Sequence, residues 1–217
     1  MPMKNQHQPV AVEGYPFIAL FAFVSLFFAA VDWNCLATIS LGLTFFTIYF
    51  FRNPERFPPE GDDAIVAPAD GKVIFVGKVP EERYFGGQDV TKISIFMNVF
   101  NVHVNRVPIN CKVVDQFYNQ GSFLNASLDK ASMENEQSGL LLETASGVKL
   151  LCVQIAGLVA RRIISYPDTG DMLVRGRRYG LIRFGSRVDL YLPDGAEVSV
   201  RLGDKTVAGE TILGYLQ

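Results

Sequence analysis

Arg183–Pro193 reads RFGSRVDLYLP. Leu181, Arg183, Val188, Leu190 and Leu192 set out alternating apolar and polar positions. That period of two predicts a half-buried strand. Gly185-Ser186 breaks the run. Glycine weakens a strand interior, so it marks a bulge or a close backbone approach. A Gly-Ser pair says little alone; a second one stands at Gly121-Ser122.

Strand-like segments recur on both sides of this stretch. AIVAPADGKVIFVGKV (64–79) places Asp70-Gly71 between two apolar runs, a hairpin signal. KISIFMNVFNVHVNRVP (92–108), GVKLLCVQIAGLVA (147–160) and EVSVRLGDKTVAGETILGYL (197–216) continue the pattern. One short soluble helix is expected, around NASLDKASMENEQ (125–137). The spacing predicts a mainly β domain, a sandwich or barrel. Its last strands resemble a lipoyl-like hammerhead, with a Gly-Asp turn joining two strands.

The N-terminal quarter differs. Residues 15–31 (YPFIALFAFVSLFFAAV) and 35–51 (CLATISLGLTFFTIYFF) carry no charge, and Asp32-Trp33-Asn34 separates them. They predict a hydrophobic helical hairpin, each arm at the short end of the about 17–25 residues that span a bilayer. Lys4, Arg52 and Arg56 flank the outer ends, which places both on the cytoplasmic side. A double span and a re-entrant, monotopic hairpin both fit. The expected organisation is a membrane-associated hairpin over 1–51, a Pro-rich linker over 52–63 and a β-rich catalytic domain over 64–217.

Composition excludes several functions. The 217 residues carry a net charge of −2, which argues against nucleic acid as a partner. Cys35, Cys111 and Cys152 are odd in number and form no CxxC, so neither a disulfide framework nor a cysteine metal site is expected. There are two histidines, and His7 lies in a polar tail, so imidazole chemistry inside the fold falls to His103. That count excludes a zinc site built from several histidines. In an extended strand Asn101, His103 and Asn105 would share one face, either a site or a solvated surface. Asp70 reads as a turn residue or as a site acid.

FFRNPER (50–56), APADG (67–71), FMNVFNVHVNRVP (96–108), GSFLNASLDKASMENE (121–136) and RRYGLIRFGSRVDLYLP (177–193) resemble, in this order, the short form of the phosphatidylserine decarboxylase family. The resemblance covers nearly the whole chain. It implies a proenzyme that cuts itself between Gly185 and Ser186 into a β chain (1–185) and an α chain (186–217). Ser186 becomes a pyruvoyl group, the cofactor, whose ketone forms a Schiff base with the serine headgroup of phosphatidylserine; the product is phosphatidylethanolamine. By the same match Asp70 assists self-cleavage and His103 serves near the substrate carboxylate and in protonation. Longer members carry a second histidine three residues after the first. This chain has Arg106 there, so either His103 serves both steps or Arg106 acts electrostatically. Arg106, Arg161, Arg162 and Arg187 are the headgroup candidates, and no metal is expected. The implied partners are phosphatidylserine, the cell inner membrane and the chain's own second fragment, with higher oligomers left open. The competing reading is a non-enzymatic, membrane-anchored β adaptor of the cell envelope.

Overall fold

The computed structural model describes residues 8–121, 135–157, 162–183 and 185–216. It divides into two compact units, Lys4–Glu55 and a second that contains Arg56–Gln217.

The first unit is a helical hairpin. Its arms are α1 (Tyr15–Ala30) and α2 (Asn34–Phe50). Pro16 sits in the first turn of α1, where its missing N–H costs nothing. The chain reverses at Asp32, whose φ is +59°. Asp32 N bonds Ala29 O and Trp33 N bonds Phe28 O, and the Trp33 ring stacks on Phe28 at 5.7 Å. Ser25 Oγ ties the arms through a 2.9 Å bond to Ala37 O. The ends are clasped by Ala11 N on Phe51 O and Asn53 N on Pro9 O, both at 2.7 Å. The outer surface is apolar, with Phe23, Leu26 and Phe45 exposed. Val12–Ala30 is long and apolar enough to cross a membrane, about 28 Å at 1.5 Å per residue, while Asn34–Phe50 is shorter, about 25 Å.

The second unit is mostly strand. In chain order its elements are β1 (Ala64–Val66), β2 (Gly71–Glu81), the single-turn α3 (Glu82–Phe85), β3 (Gln88–Met97), β4 (Val104–Arg106), β5 (Cys111–Asn119), β6 (Gln137–Glu143) and β7 (Lys149–Ala156). Then follow β8 (Ile163–Ser165), β9 (Met172–Leu173), β10 (Arg178–Ile182), β11 (Ser186–Leu192), β12 (Glu197–Val198), β13 (Lys205–Thr206) and β14 (Ile212–Tyr215). A curled antiparallel sheet has the order β13-β2-β3-β11-β7-β6-β5-β9. Two three-stranded sheets, β4-β10-β8 and β1-β14-β12, complete the unit.

Alternation sorts the side chains. Val188, Leu190 and Leu192 of β11 enter the main core with Ile93, Ile95 and Met97 of β3 and Cys152 of β7. Each such buried aliphatic residue contributes about 2 kcal/mol. The opposite face carries a smaller cluster of Leu141, Leu151, Val153 and Ile155, with Tyr191 of β11 against it.

Two expectations change, and a third falls largely outside the described residues. Asp70-Gly71 is not a hairpin turn: β1 pairs with β14, whereas β2 pairs with β3 and β13. The dipeptide carries the chain from one sheet to another. Most of the expected helix over 125–137 lies outside the described residues, and Gln137 opens a strand. A single-turn helix that the sequence did not suggest lies at Glu82–Phe85, where the Glu81 carboxylate accepts from the N–H groups of Arg83, Tyr84 and Phe85. Finally, Asn101 lies outside β4, which holds Asn105 and begins one residue after His103. It closes a turn, donating from N to Asn98 O at 3.0 Å and accepting Asn98 N on Oδ1 at 2.9 Å.

The cysteines follow the packing. Burial pushes the thiols of Cys111 and Cys152 up to about 12, while Cys35 is exposed. Since the thiolate is the reactive form, an aromatic disulfide reagent at about pH 8 is expected to label Cys35 alone in the native protein and all three cysteines after denaturation. Rapid native labelling of all three would refute the closed core.

Candidate active site

Ser186 opens β11 at 0% exposure. It registers with Met97 of β3 and Ala156 of β7. It shares a face with Val188, so its side chain turns toward the main core. Among the described residues Ser186 Oγ has no hydrogen-bond partner. A buried hydroxyl left unbonded costs about 1–3 kcal/mol, which Ser94 and Ser165 also bear among the described residues, but of the three only Ser186 follows a left-handed glycine. Gly185 beside it has φ +56°. A side chain in that left-handed region costs about 1–2 kcal/mol, so glycine alone adopts it readily. Downstream, β11 is held on both sides, along β3 as far as Thr91 and along β7 as far as Leu151.

His103 lies just before β4 and is 1% exposed. Its Nδ1 is 3.0 Å from Asn101 O. A carbonyl oxygen can only accept, so Nδ1 holds the proton and Nε2 keeps the basic lone pair. The turn that removed Asn101 from the strand thus sets the tautomer of the ring. His103 O accepts from Ile182 N at 3.3 Å, which holds it beside the end of β10, four residues before Ser186. Asn105 Nδ2 approaches Met97 Sδ at 3.8 Å, and Met97 is the register partner of Ser186. Asn105 thus reaches the residue of β3 that pairs with Ser186, and His103 lies two residues before Asn105 in the chain.

Asp70 comes to the same end of the sheet. A Cβ on Gly71 would stand 2.2 Å from Phe96 O, so only glycine lets the chain press against β3 there. Asp70 Oδ1 accepts from Ala208 N at 2.7 Å. Arg56 Nη2 lies 3.2 and 3.0 Å from the two carboxylate oxygens. Their side chains are 15% and 12% exposed, so the pair is largely desolvated. Losing one partner of such a pair would leave a stranded charge. Residues 56–59, part of the expected linker, are thereby fastened to the β unit; Phe57 N bonds Glu210 Oε1 and Arg175 Nη2 bonds Pro59 O.

The arginines separate. Arg106 is buried, and Nη1 donates to Gly176 O at 2.8 Å. Burial, and then the like charge of Arg56, lowers its guanidinium to about 10, so it stays charged at neutral pH. Arg162 is exposed. Arg161 lies outside the described residues. Arg187 points to the other face of β11 from Ser186. Its Nε and Nη2 lie 2.8 and 2.9 Å from the Asp189 carboxylate, which Lys92 also meets at 3.3 Å. Arg187 is thus turned away from the site and already neutralised.

Two residues escaped the sequence reading. In the sequence Arg56 shows only as a charge flanking the apolar run. Gln154 is fully buried in β7, and its one signal was a polar residue inside the apolar run LLCVQIA.

The family model of phosphatidylserine decarboxylase matches residues 43–214. The chain belongs to the phosphatidylserine decarboxylase family. The phosphatidylserine decarboxylase proenzyme of Syntrophotalea carbinolica is 63% identical over 215 residues, 99% of this chain and 100% of the relative. The proenzymes of Geotalea uraniireducens and Geobacter metallireducens are 55% and 56% identical, each over 99% of this chain and 100% of the relative. An enzyme of this decarboxylase family is a lyase and a zymogen, so the non-enzymatic adaptor reading is set aside.

Proposed function

We propose that this decarboxylase cuts itself between Gly185 and Ser186, and that residue 186, as a pyruvoyl group, then converts phosphatidylserine to phosphatidylethanolamine. The observation that carries the reading is the buried Ser186 hydroxyl, without a partner among the described residues, next to the left-handed Gly185.

Self-cleavage uses this chain's own groups. Ser186 Oγ attacks the carbonyl carbon of Gly185, and its proton passes to His103 Nε2. The Gly185–Ser186 C–N bond breaks as the C–O bond forms, leaving an ester and the free amine of residue 186. Removal of the α-proton then expels the Gly185 carboxylate by β-elimination. Water converts the dehydroalanine to the pyruvoyl ketone and releases ammonia. The β11 ladder keeps the new terminus in place, so the two fragments remain one folded unit.

The site suits that product, because the Ser186 side chain is buried on the core face and its hydroxyl has no partner to lose among the described residues. The pyruvoyl group supplies a ketone for the substrate amine and a sink for the electron pair left when carbon dioxide departs. His103 then moves the proton that replaces the carboxylate. Asp70, anchored by Arg56 and Ala208 N, orients or stabilises the imidazolium electrostatically. Arg106 adds a fixed positive charge, and Arg162, with Arg161, serves the headgroup phosphate. The α1–α2 hairpin places the enzyme at the inner membrane, where its substrate already lies, with the catalytic unit on the cytoplasmic side.

Intact mass spectrometry of the denatured wild-type protein tests this reading. The expected result is two chains, 1–185 and 186–217, the smaller lighter than a serine terminus by one ammonia. A single uncut chain that also withstands hydroxylamine, which would cleave an accumulated ester, overturns it.

A further inference from the structure

Gln154 is fully buried in β7, opposite Val188 and on the face that Ser186 shares. Its Nε2 donates to Asn105 Oδ1 at 2.8 Å and lies 3.5 Å from Ile164 O. Because a carbonyl oxygen only accepts, Ile164 fixes which end of the amide carries nitrogen. The amide oxygen therefore has a defined direction, and among the described residues Gln154 Oε1 has no hydrogen-bond partner. Thus two buried oxygens lie unbonded on one face of neighbouring strands, Ser186 Oγ and Gln154 Oε1. The fold has oriented an acceptor next to the reacting residue and left it unused.

We infer that Gln154 Oε1 receives an N–H of the substrate's amine, which makes Gln154 a specificity residue for a primary-amine headgroup. The inference rests on the reading of residue 186 as the reacting centre. Headgroup chemistry selects the partner. Phosphate and carboxylate are acceptors at neutral pH and would be repelled by a carbonyl oxygen, whereas the ammonium carries only donors. A hydrogen bond from a charged donor in a desolvated site is strong, and a buried acceptor left empty penalises a ligand that lacks the N–H. Asn105, held by Gln154 Nε2 and reaching Met97, sets the angle of the amide.

The test uses the full-length matured protein after borohydride reduction of the residue 186 ketone, so that no covalent adduct contributes. Two short-chain lipids are compared as monomers by calorimetry: dihexanoyl phosphatidylethanolamine, and dihexanoyl phosphatidylpropanol, in which a methyl replaces the ammonium. The wild type is expected to prefer the amine by about tenfold to a hundredfold. Gln154→Met, close in shape but without the acceptor, is expected to mature normally and lose that preference. Gln154→Glu turns the acceptor into a carboxylate and is expected to raise it. Preference retained in Gln154→Met overturns the assignment, as does no preference in the wild type. An uncut Gln154→Met chain would move Gln154 to the maturation step instead. An unchanged or lower preference in Gln154→Glu overturns the assignment even where Gln154→Met does not fold. A wild-type chain that never cuts itself is a different result, and it refutes the pyruvoyl reading rather than the role of Gln154.

Discussion

Ser186→Ala is expected to yield one uncut chain of 217 residues that folds normally and releases no carbon dioxide from phosphatidylserine. The chemical reason is that alanine has no oxygen to attack the Gly185 carbonyl and no leaving group for elimination, so neither cut nor ketone can form. The structural reason is equally specific. Ser186 is fully buried and its hydroxyl is unbonded among the described residues, so its removal forfeits no protein hydrogen bond. Replacing an unsatisfied buried hydroxyl by a methyl-sized group is neutral or stabilising, by about 1 kcal/mol. The variant should therefore melt at or above the temperature of the uncut wild-type chain, while activity falls to background. Denaturing mass spectrometry and a melting curve read both effects. Two chains recovered from Ser186→Ala would refute the cleavage site, and a large loss of stability would refute the packing argument.

His103→Ala should carry the second-largest effect. His103 is the one histidine in the described fold, and its ring is set by the Nδ1 contact to Asn101 O. A positioned general acid or base contributes about 10²–10⁴-fold to a rate. The variant is expected to mature slowly or incompletely. The fraction that does mature should turn over about 10²–10⁴-fold more slowly per cut chain. Quantifying the cut fraction by mass, and dividing activity by it, separates the two steps. Normal maturation with slow turnover would confine His103 to substrate chemistry. Wild-type phosphatidylethanolamine formation would remove it from the site.

The proposed cut after Gly185 also gives a reason for a choice in the fold. A strand at the edge of a sheet would be free to leave once its upstream bond was cut. β11 is an interior strand, paired with β3 on one side and β7 on the other. Its backbone groups remain bonded on both sides, and Val188, Leu190 and Leu192 remain buried. Were the bond after Gly185 cut, this pairing and burial would still retain residues 186–217.

Much of this was legible in the sequence because the signals are local. The period of two along Val188–Leu192 is set by strand geometry and needs no partner to be read. The two uncharged runs carry their own helical and apolar signature, and two histidines leave a single candidate for imidazole chemistry. The glycine at 185 announces a backbone that other residues resist, and φ +56° is that backbone. By itself, then, the sequence determined a β unit following an apolar hairpin in the chain and the candidate residues for the reaction. Only the tertiary structure decided which of those residues meet. Asp70 finds Ala208 across 138 positions, and Gln154 finds Asn105 across 49. A period cannot encode such pairings, because they follow from how sheets stack. The stacking sent Asp70-Gly71 between sheets instead of around a hairpin, and it turned Arg187 away from Ser186. It also placed Arg56 against Asp70 and left the Gln154 oxygen without a partner among the described residues, on the strand beside β11. Local periodicity selects elements, while the choice of partner depends on burial and hydrogen-bond satisfaction over the whole chain.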